Sequence, residues 1–144
     1  MQKNNEAGAP NAVADLEVTL GDAVATVAVR DLETARRFYE DGLGLKRVST
    51  EGEEAITYST GNSTLLIYRS DYAGTNQATS VTWSVGEQVE EVANALKGKG
   101  VVFEQYEMPG MTRRGDVYEA GNMKVAWFKD PDGNIHALTG GRSS

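Results

Sequence analysis

Cysteine is absent from this chain of 144 residues, and histidine occurs once, as His136. Without cysteine there is neither a disulfide nor a thiolate zinc site. A lone imidazole cannot supply the several donors that converge at about 2 Å on a divalent transition metal. No Gly-x-Ser-x-Gly elbow, no glycine-rich phosphate loop before a helix and no nucleophile–base constellation can be found. Paired carboxylates such as Glu53-Glu54 and Glu90-Glu91 fall in turn or helix-surface contexts, where solvation explains them. Basic clusters are lacking too, none being longer than Arg36-Arg37 or Arg113-Arg114. With a formal charge of −7 the chain repels phosphate backbones, which argues against a nucleic-acid partner. Apolar runs such as Leu65-Leu66-Ile67-Tyr68 are too short to span a bilayer, so no membrane partner is expected. The first ten residues lack the apolar stretch of a secretory signal and carry Glu6, from which a cytoplasmic location is expected.

What is present is ordinary for one globular domain, or for two small repeats sharing a core: 40% hydrophobic and 24% charged residues. Residues 1–14 are small and polar and read as a flexible lead-in, with 142–144 as a tail. Residues 23–29 are rich in β-branched side chains and predict a strand. Asp31 then suits a helix N-cap, with Leu32, Ala35, Phe38 and Tyr39 on one face and Gly42 placed to end the helix in the left-handed conformation. Residues 45–50, 54–60 and 63–69 read as three strands joined by the turns at Glu51-Gly52-Glu53 and Gly61-Asn62.

After a polar linker the order begins again. Residues 78–85 read as a strand and 87–97 as a helix, with Val89, Val92, Ala93 and Leu96 at helical spacing and Gly98 or Gly100 ending it. Residues 101–103, 125–129 and 134–139 complete a second β-α-β-β-β module, about 78–139 against about 22–70 for the first. The second is longer because residues 104–122 form a long loop that ends in an extra strand. Structureless connections of that length are commonly lids or binding loops. The hairpin between the last two strands turns at Asp130-Pro131-Asp132-Gly133, where proline presets φ, the aspartates can bond the turn's own backbone and glycine tolerates positive φ.

Three phrases, Val27-Ala-Val-Arg-Asp-Leu-Glu-Thr-Ala-Arg-Arg-Phe-Tyr39, Gly42-Leu-Gly-Leu45 and Phe128-Lys-Asp-Pro-Asp-Gly-Asn134, together resemble both halves of a vicinal oxygen chelate domain. That superfamily holds glyoxalases, bleomycin-resistance proteins and dioxygenases, and the likeness runs from about residue 22 to 139. It implies an α+β fold in which two tandem β-α-β-β-β modules form a curved mixed sheet around a cavity, helices outside, over residues 15–141. Relatives of this size often associate, so a homodimer is also implied. Metal-dependent relatives place His, Gln or Glu on the first and last strands of each module. Here those positions correspond to Val24, Ser80 and Ala137, and residues 63–69 offer no acid or imidazole. The expectation is therefore no metal and no cofactor, and a protein that holds a small organic ligand, as the bleomycin-resistance branch does. An enzyme with atypical or no metal ligands is the alternative. An acidic chain suits cationic or polar aromatic ligands through long-range attraction.

Strand alternation places Thr26 and Thr82 on the cavity face. If Lys129 pairs with Asn134, Phe128 and Ala137 share that face, and Trp127 lies opposite with His136; a one-residue slip exchanges Phe128 and Trp127. His136 then reads as a strand residue under the helices, with a catalytic or ligand role as the alternative. Trp83 reads as core or, alternatively, as a ligand platform. Tyr58 belongs to the cavity or its rim. In the long loop, Tyr106, Met108 and Arg113 mix apolar bulk with a cation, as small-molecule pockets do, although a surface loop stitched down by Tyr106 and Met108 reads equally well. The candidate ligand contacts are thus Thr26, Tyr58, Thr82, Tyr106, Met108, Arg113 and Phe128.

Overall fold

The computed structural model describes residues 20–141. The expected lead-in and tail lie outside them. Strand β1 (Ala25–Val29) turns Val27 and Val29 inward, at 2% and 0% exposure. Asp31 caps the helix that follows: its carboxylate accepts from the Glu33 N–H at 3.1 Å and from the Thr34 hydroxyl at 2.8 Å. Those bonds hold the exposed Asp31 carboxyl below its usual pKa, the Thr34 hydroxyl contributing most.

Helix α1 (Leu32–Arg36) widens into a π-helix, Arg37–Gly42, in which the Leu43 N–H reaches back to the Phe38 carbonyl at 2.9 Å. The wider turn carries the helix through Gly42. The left-handed residue is therefore Gly44, at φ 76°, and not Gly42 as expected. Strands β2 (Lys46–Glu51), β3 (Ala55–Thr60) and β4 (Ser63–Arg69) complete a four-stranded sheet in the order β1-β4-β3-β2, with β1 parallel to β4 and the other pairs antiparallel.

The second module starts with β5 (Thr79–Ser84) and α2 (Val89–Gly98), after which Gly100 turns at φ 94°. The strand expected at 101–103 is only the two-residue β6 (Phe103–Glu104). The long loop is more ordered than its polarity predicts, because it contains β7 (Thr112–Arg114), paired with the expected extra strand β8 (Val117–Ala120). Strands β9 (Met123–Lys129) and β10 (Ile135–Gly141) follow. Sheet order is β5-β10-β9-β8-β7, with β6 and β8 sharing one edge of β9 at its opposite ends. Strand β10 runs parallel to β5.

The two sheets meet where β1 lies beside β5. One apolar cluster, including Val27, Tyr39, Ile56 and Ile67, lies under α1, and another, including Val89, Ala93, Phe103 and Leu138, lies under α2. Phe38, Leu43 and Trp83 touch both clusters, so the modules share one interior. Both helices stand on one side; the other side of the sheets carries no helix and is covered only in part, by Met108 and Met111.

The hairpin takes the slipped register. Lys129 pairs with Ile135, Phe128 with His136 and Trp127 with Ala137. The cause is Asp130, whose carboxylate captures the backbone N–H groups of Asp132 (3.0 Å) and Asn134 (2.9 Å). The Asn134 N–H that a Lys129–Asn134 rung would use is thereby taken, and the ladder resumes one residue later.

Candidate functional site

On the helix-free face, alternation leaves Thr26 and Ala28 on β1 and Ser80, Thr82 and Ser84 on β5. All of these are exposed except the half-buried Ala28. Thr26 and Thr82 thus lie on the open side, as expected. Beyond them, Thr82 pairs with Ala137, and Ala137 pairs with Trp127. Trp127 stands half-buried at the end of this row, with Tyr118 and Tyr106 edge-on to it at ring-centroid distances of 5.2 and 5.4 Å. The face therefore carries exposed hydroxyls on β1 and β5 and an aromatic group around Trp127 on β9.

The segment between β6 and β7 covers the outer part of this face. Met108 and Met111 pack on Tyr118, Val125, Ala137 and Trp127. Tyr118 fastens the segment, since its hydroxyl donates to the Tyr106 carbonyl at 2.9 Å and accepts the Tyr106 N–H. The hydroxyl of Tyr106 itself is cut off from solvent and has no hydrogen-bond partner among the described residues. Burial raises its pKa, so at neutral pH it is a protonated donor. Arg113 lies on the same side but is exposed and folds back on its own turn, donating to the Gly115 carbonyl at 2.7 Å. At the hairpin end, a pocket of about 390 Å³ is bounded by Asn76, Gln77, Tyr106, Lys129 and Ile135. A cleft of about 310 Å³ lies between the β3–β4 turn and residues 81–84 of β5.

Two expected contacts are on the other face. Phe128, 0% exposed, stacks on His136 with ring centroids 4.9 Å apart and planes 10° apart, and borders an apolar gap of about 160 Å³ between the modules. The register set by Asp130 put it there. Tyr58, also 0% exposed, points under α1 and donates to Glu40 Oε2 at 3.0 Å; burial raises its pKa. Strand β3 aligns Tyr58 with Leu65, a core residue of β4, which fixes its side.

His136 is the centre of a buried polar chain that joins the modules. Trp83 Nε1–H can only donate, so at 2.9 Å it identifies His136 Nδ1 as the acceptor. A neutral ring then carries its proton on Nε2, which donates to the Tyr39 oxygen at 3.0 Å, and the Tyr39 hydroxyl donates to Asp130 Oδ2 at 2.7 Å. The same Oδ2 accepts from Asn134 Nδ2 at 2.8 Å, and that amide also donates to the Ala28 carbonyl at 2.8 Å. Burial lowers the His136 pKa to about 4, although Asp130 pulls the other way. Burial likewise raises the Tyr39 pKa well above its ordinary value. Every donor in this chain has an acceptor, and none reaches the helix-free face.

The model of the Glyoxalase/Bleomycin resistance protein/Dioxygenase superfamily matches residues 22–138. The chain belongs to that superfamily. Among solved structures of this superfamily's fold, a lactoylglutathione lyase from Agrobacterium tumefaciens aligns at 15% identity and a TM-score of 0.64, covering 86% of this chain and 96% of the other. The fosfomycin resistance protein FosX from Listeria monocytogenes aligns at 15% identity and a TM-score of 0.65, covering 86% and 95%. A glyoxalase/bleomycin resistance protein/dioxygenase from Alicyclobacillus acidocaldarius aligns at 17% identity and 0.64, covering 84% and 91%. At these identities the likeness concerns the fold. No curated relative matches the sequence.

Three residues stand where the superfamily's metal ligands usually lie. Val24 precedes β1 at 45% exposure, Ser80 is exposed on β5, and Ala137 is buried on β10. On β4 the helix-free side carries Thr64, Leu66 and Tyr68. Two of the three named positions have no lone pair, and the third has a neutral hydroxyl. Among the described residues no three His, Cys, Asp or Glu side chains converge. This donor set does not fit a divalent ion of the kind superfamily enzymes hold. Three lining residues were not singled out from the sequence: Asn76, Gln77 and Lys129. The first two come from the linker, where nothing local marks a polar residue as lining a pocket. Among the described residues no helix is long and apolar enough to cross a membrane.

Proposed function

We propose that the protein is a metal-independent member of the superfamily that holds a small organic molecule on its helix-free face. The observation that carries this reading is the separation of chemistry from cavity. The only imidazole is locked on the helix side in a satisfied network, while the cavity side keeps exposed hydroxyls beside an aromatic wall. Small-molecule sites are built in this way, from apolar and aromatic walls with a few polar groups that set orientation. Thr26 and Thr82 would supply orientation, Trp127 and Tyr106 the face for a ring, and Met108 an adaptable roof.

The test is elemental analysis combined with a thermal-shift screen of aromatic metabolites and antibiotics. The expected result is less than about one-tenth of an equivalent of any transition metal, because the described residues hold no preformed donor set. Binders at about 100 times their Kd should stabilise the fold by about 2.7 kcal/mol and alter Trp127 fluorescence without being consumed. Stoichiometric metal, or conversion of a binder, would replace this reading with that of a superfamily enzyme using atypical ligands.

A further inference from the structure

Resting on the reading above, we propose that the pocket at the hairpin end of the helix-free face takes the carboxylate of a small aromatic or aliphatic monoacid. Lys129, Asn76, Gln77 and Tyr106 would be its donors. Among the residues lining this pocket of about 390 Å³ there is one cation and no carboxylate. The chain as a whole carries −7, so the pocket is an exception to the sign of its surroundings. The Lys129 ammonium is only loosely engaged, 3.8 Å from Glu104 Oε1, with 42% of its side chain exposed.

The neutral groups have donors to offer a ligand, two of them on exposed amides and one on a buried hydroxyl. The Asn76 oxygen already accepts the Ala78 N–H at 3.0 Å, which leaves its amino group to face a ligand. The Gln77 amide makes no side-chain hydrogen bond among the described residues. The Tyr106 hydroxyl is shut off from water with nothing to bond, the condition in which a buried polar group gains most from an incoming acceptor. Its raised pKa keeps the proton on it. A single cation with three neutral donors suits a monoanion. A dianion would need more positive charge than this acidic chain provides, and an amine would face the Lys129 ammonium with no carboxylate among the lining residues.

The backbone that carries two of these donors is also held in place beforehand. Gly74, at φ 73°, lies so close to the hairpin turn that a Cβ there would overlap the Asp132 carbonyl. The Thr75 hydroxyl donates to the Tyr72 carbonyl at 2.8 Å, and Ala73 is buried. The linker carrying Asn76 and Gln77 is thus seated on the turn that follows Lys129. Tyr106 and Ile135 supply the apolar part of the lining, so the body of the acid would lie against them, with Trp127 edge-on behind Tyr106.

Phenylacetate, phenylacetamide and phenethylamine share one ring and differ in the charge of the head group, so titrating the full chain with all three tests the proposal. Tryptophan fluorescence and calorimetry would be the readouts. Phenylacetate should bind at least about tenfold more tightly than either of the others near neutral pH, with an affinity that falls as salt rises. Lys129→Met should abolish that preference. Tyr106→Phe should weaken phenylacetate several-fold while leaving the melting temperature of the free protein equal or higher, because it deletes an unsatisfied hydroxyl. Equal or tighter binding of the amine, or unchanged phenylacetate affinity in both variants, would overturn the proposal. Should the amide and the wider aromatic screen bind while the acid does not, the anion pocket fails and the binding function stands. No binding by any of them refutes both.

Discussion

Acidification should destabilise this protein through His136. The ring is buried, donates to Tyr39 and accepts from Trp83, so a second proton would have to displace the Trp83 N–H and place a charge in the core. Burial lowers its pKa to about 4 in the fold, against about 6.5 in the unfolded chain. Between those values the unfolded state binds more protons, so stability falls with falling pH. The contribution is fully present above the unfolded value and is lost progressively down to the folded one. Near pH 4.5 the linkage amounts to about 2 to 3 kcal/mol, a large share of the 5 to 15 kcal/mol typical of a domain. Because this is the only histidine, its ring protons give one unambiguous NMR signal, which should stay in the neutral position down to about pH 5. Urea midpoints near pH 7 and near pH 4.5 should drop more for the wild type than for His136→Gln, which begins less stable but lacks the titration. A ring that titrates near its ordinary value, or parallel losses in the two proteins, would refute the reasoning.

Other perturbations separate further parts of the structure. Gly74→Ala should cost about 2 to 4 kcal/mol in urea denaturation, combining left-handed strain with overlap on Asp132, whereas Gly61→Ala, at φ 54° with open space around it, should cost about 1 kcal/mol. Tyr118→Phe removes both bonds to the Tyr106 backbone, so hydrogen exchange should quicken at Tyr106 and in the segment up to Met111, with a loss of about 1 to 2 kcal/mol. Tyr39→Phe leaves the His136 Nε2–H buried without an acceptor and should cost about 1 to 3 kcal/mol, while Tyr72→Phe, at 79% exposure, should stay within about 0.5 kcal/mol of wild type.

What was legible in the sequence was local. The Asp31 cap, the helical faces, the glycine turns and the alternation on β1 and β5 all depend on residues a few positions apart, and they placed Thr26 and Thr82 on the open side. Tyr58 and Phe128 were harder, because the facing of a strand is inherited from its partner and its turn. In the hairpin that inheritance passes through a side chain, Asp130, taking a backbone N–H. The widening of the first helix leaves no compositional mark, and β7 exists only because β8 lies beside it. The pocket at the hairpin end combines linker, loop and strand residues far apart in the chain, so no spacing could have announced it.

The buried chain from Trp83 through His136 and Tyr39 to Asp130 also orders events in time. Tyr39 sits in the first module and its partners sit 91 and 97 residues further along, so a ribosome releases the hydroxyl long before its acceptor Asp130 and its donor His136 exist. The first module alone would expose an unfinished helix face, and the second alone would leave Asp130 and His136 short of a partner. The two halves of this duplicated architecture have thus lost their independence: neither can settle its own polar interior before the other arrives. Such distant closure slows folding, because the entropy of a long loop must be spent before the contact rewards it. It also predicts a single cooperative transition, in which the repeats melt together rather than one after the other.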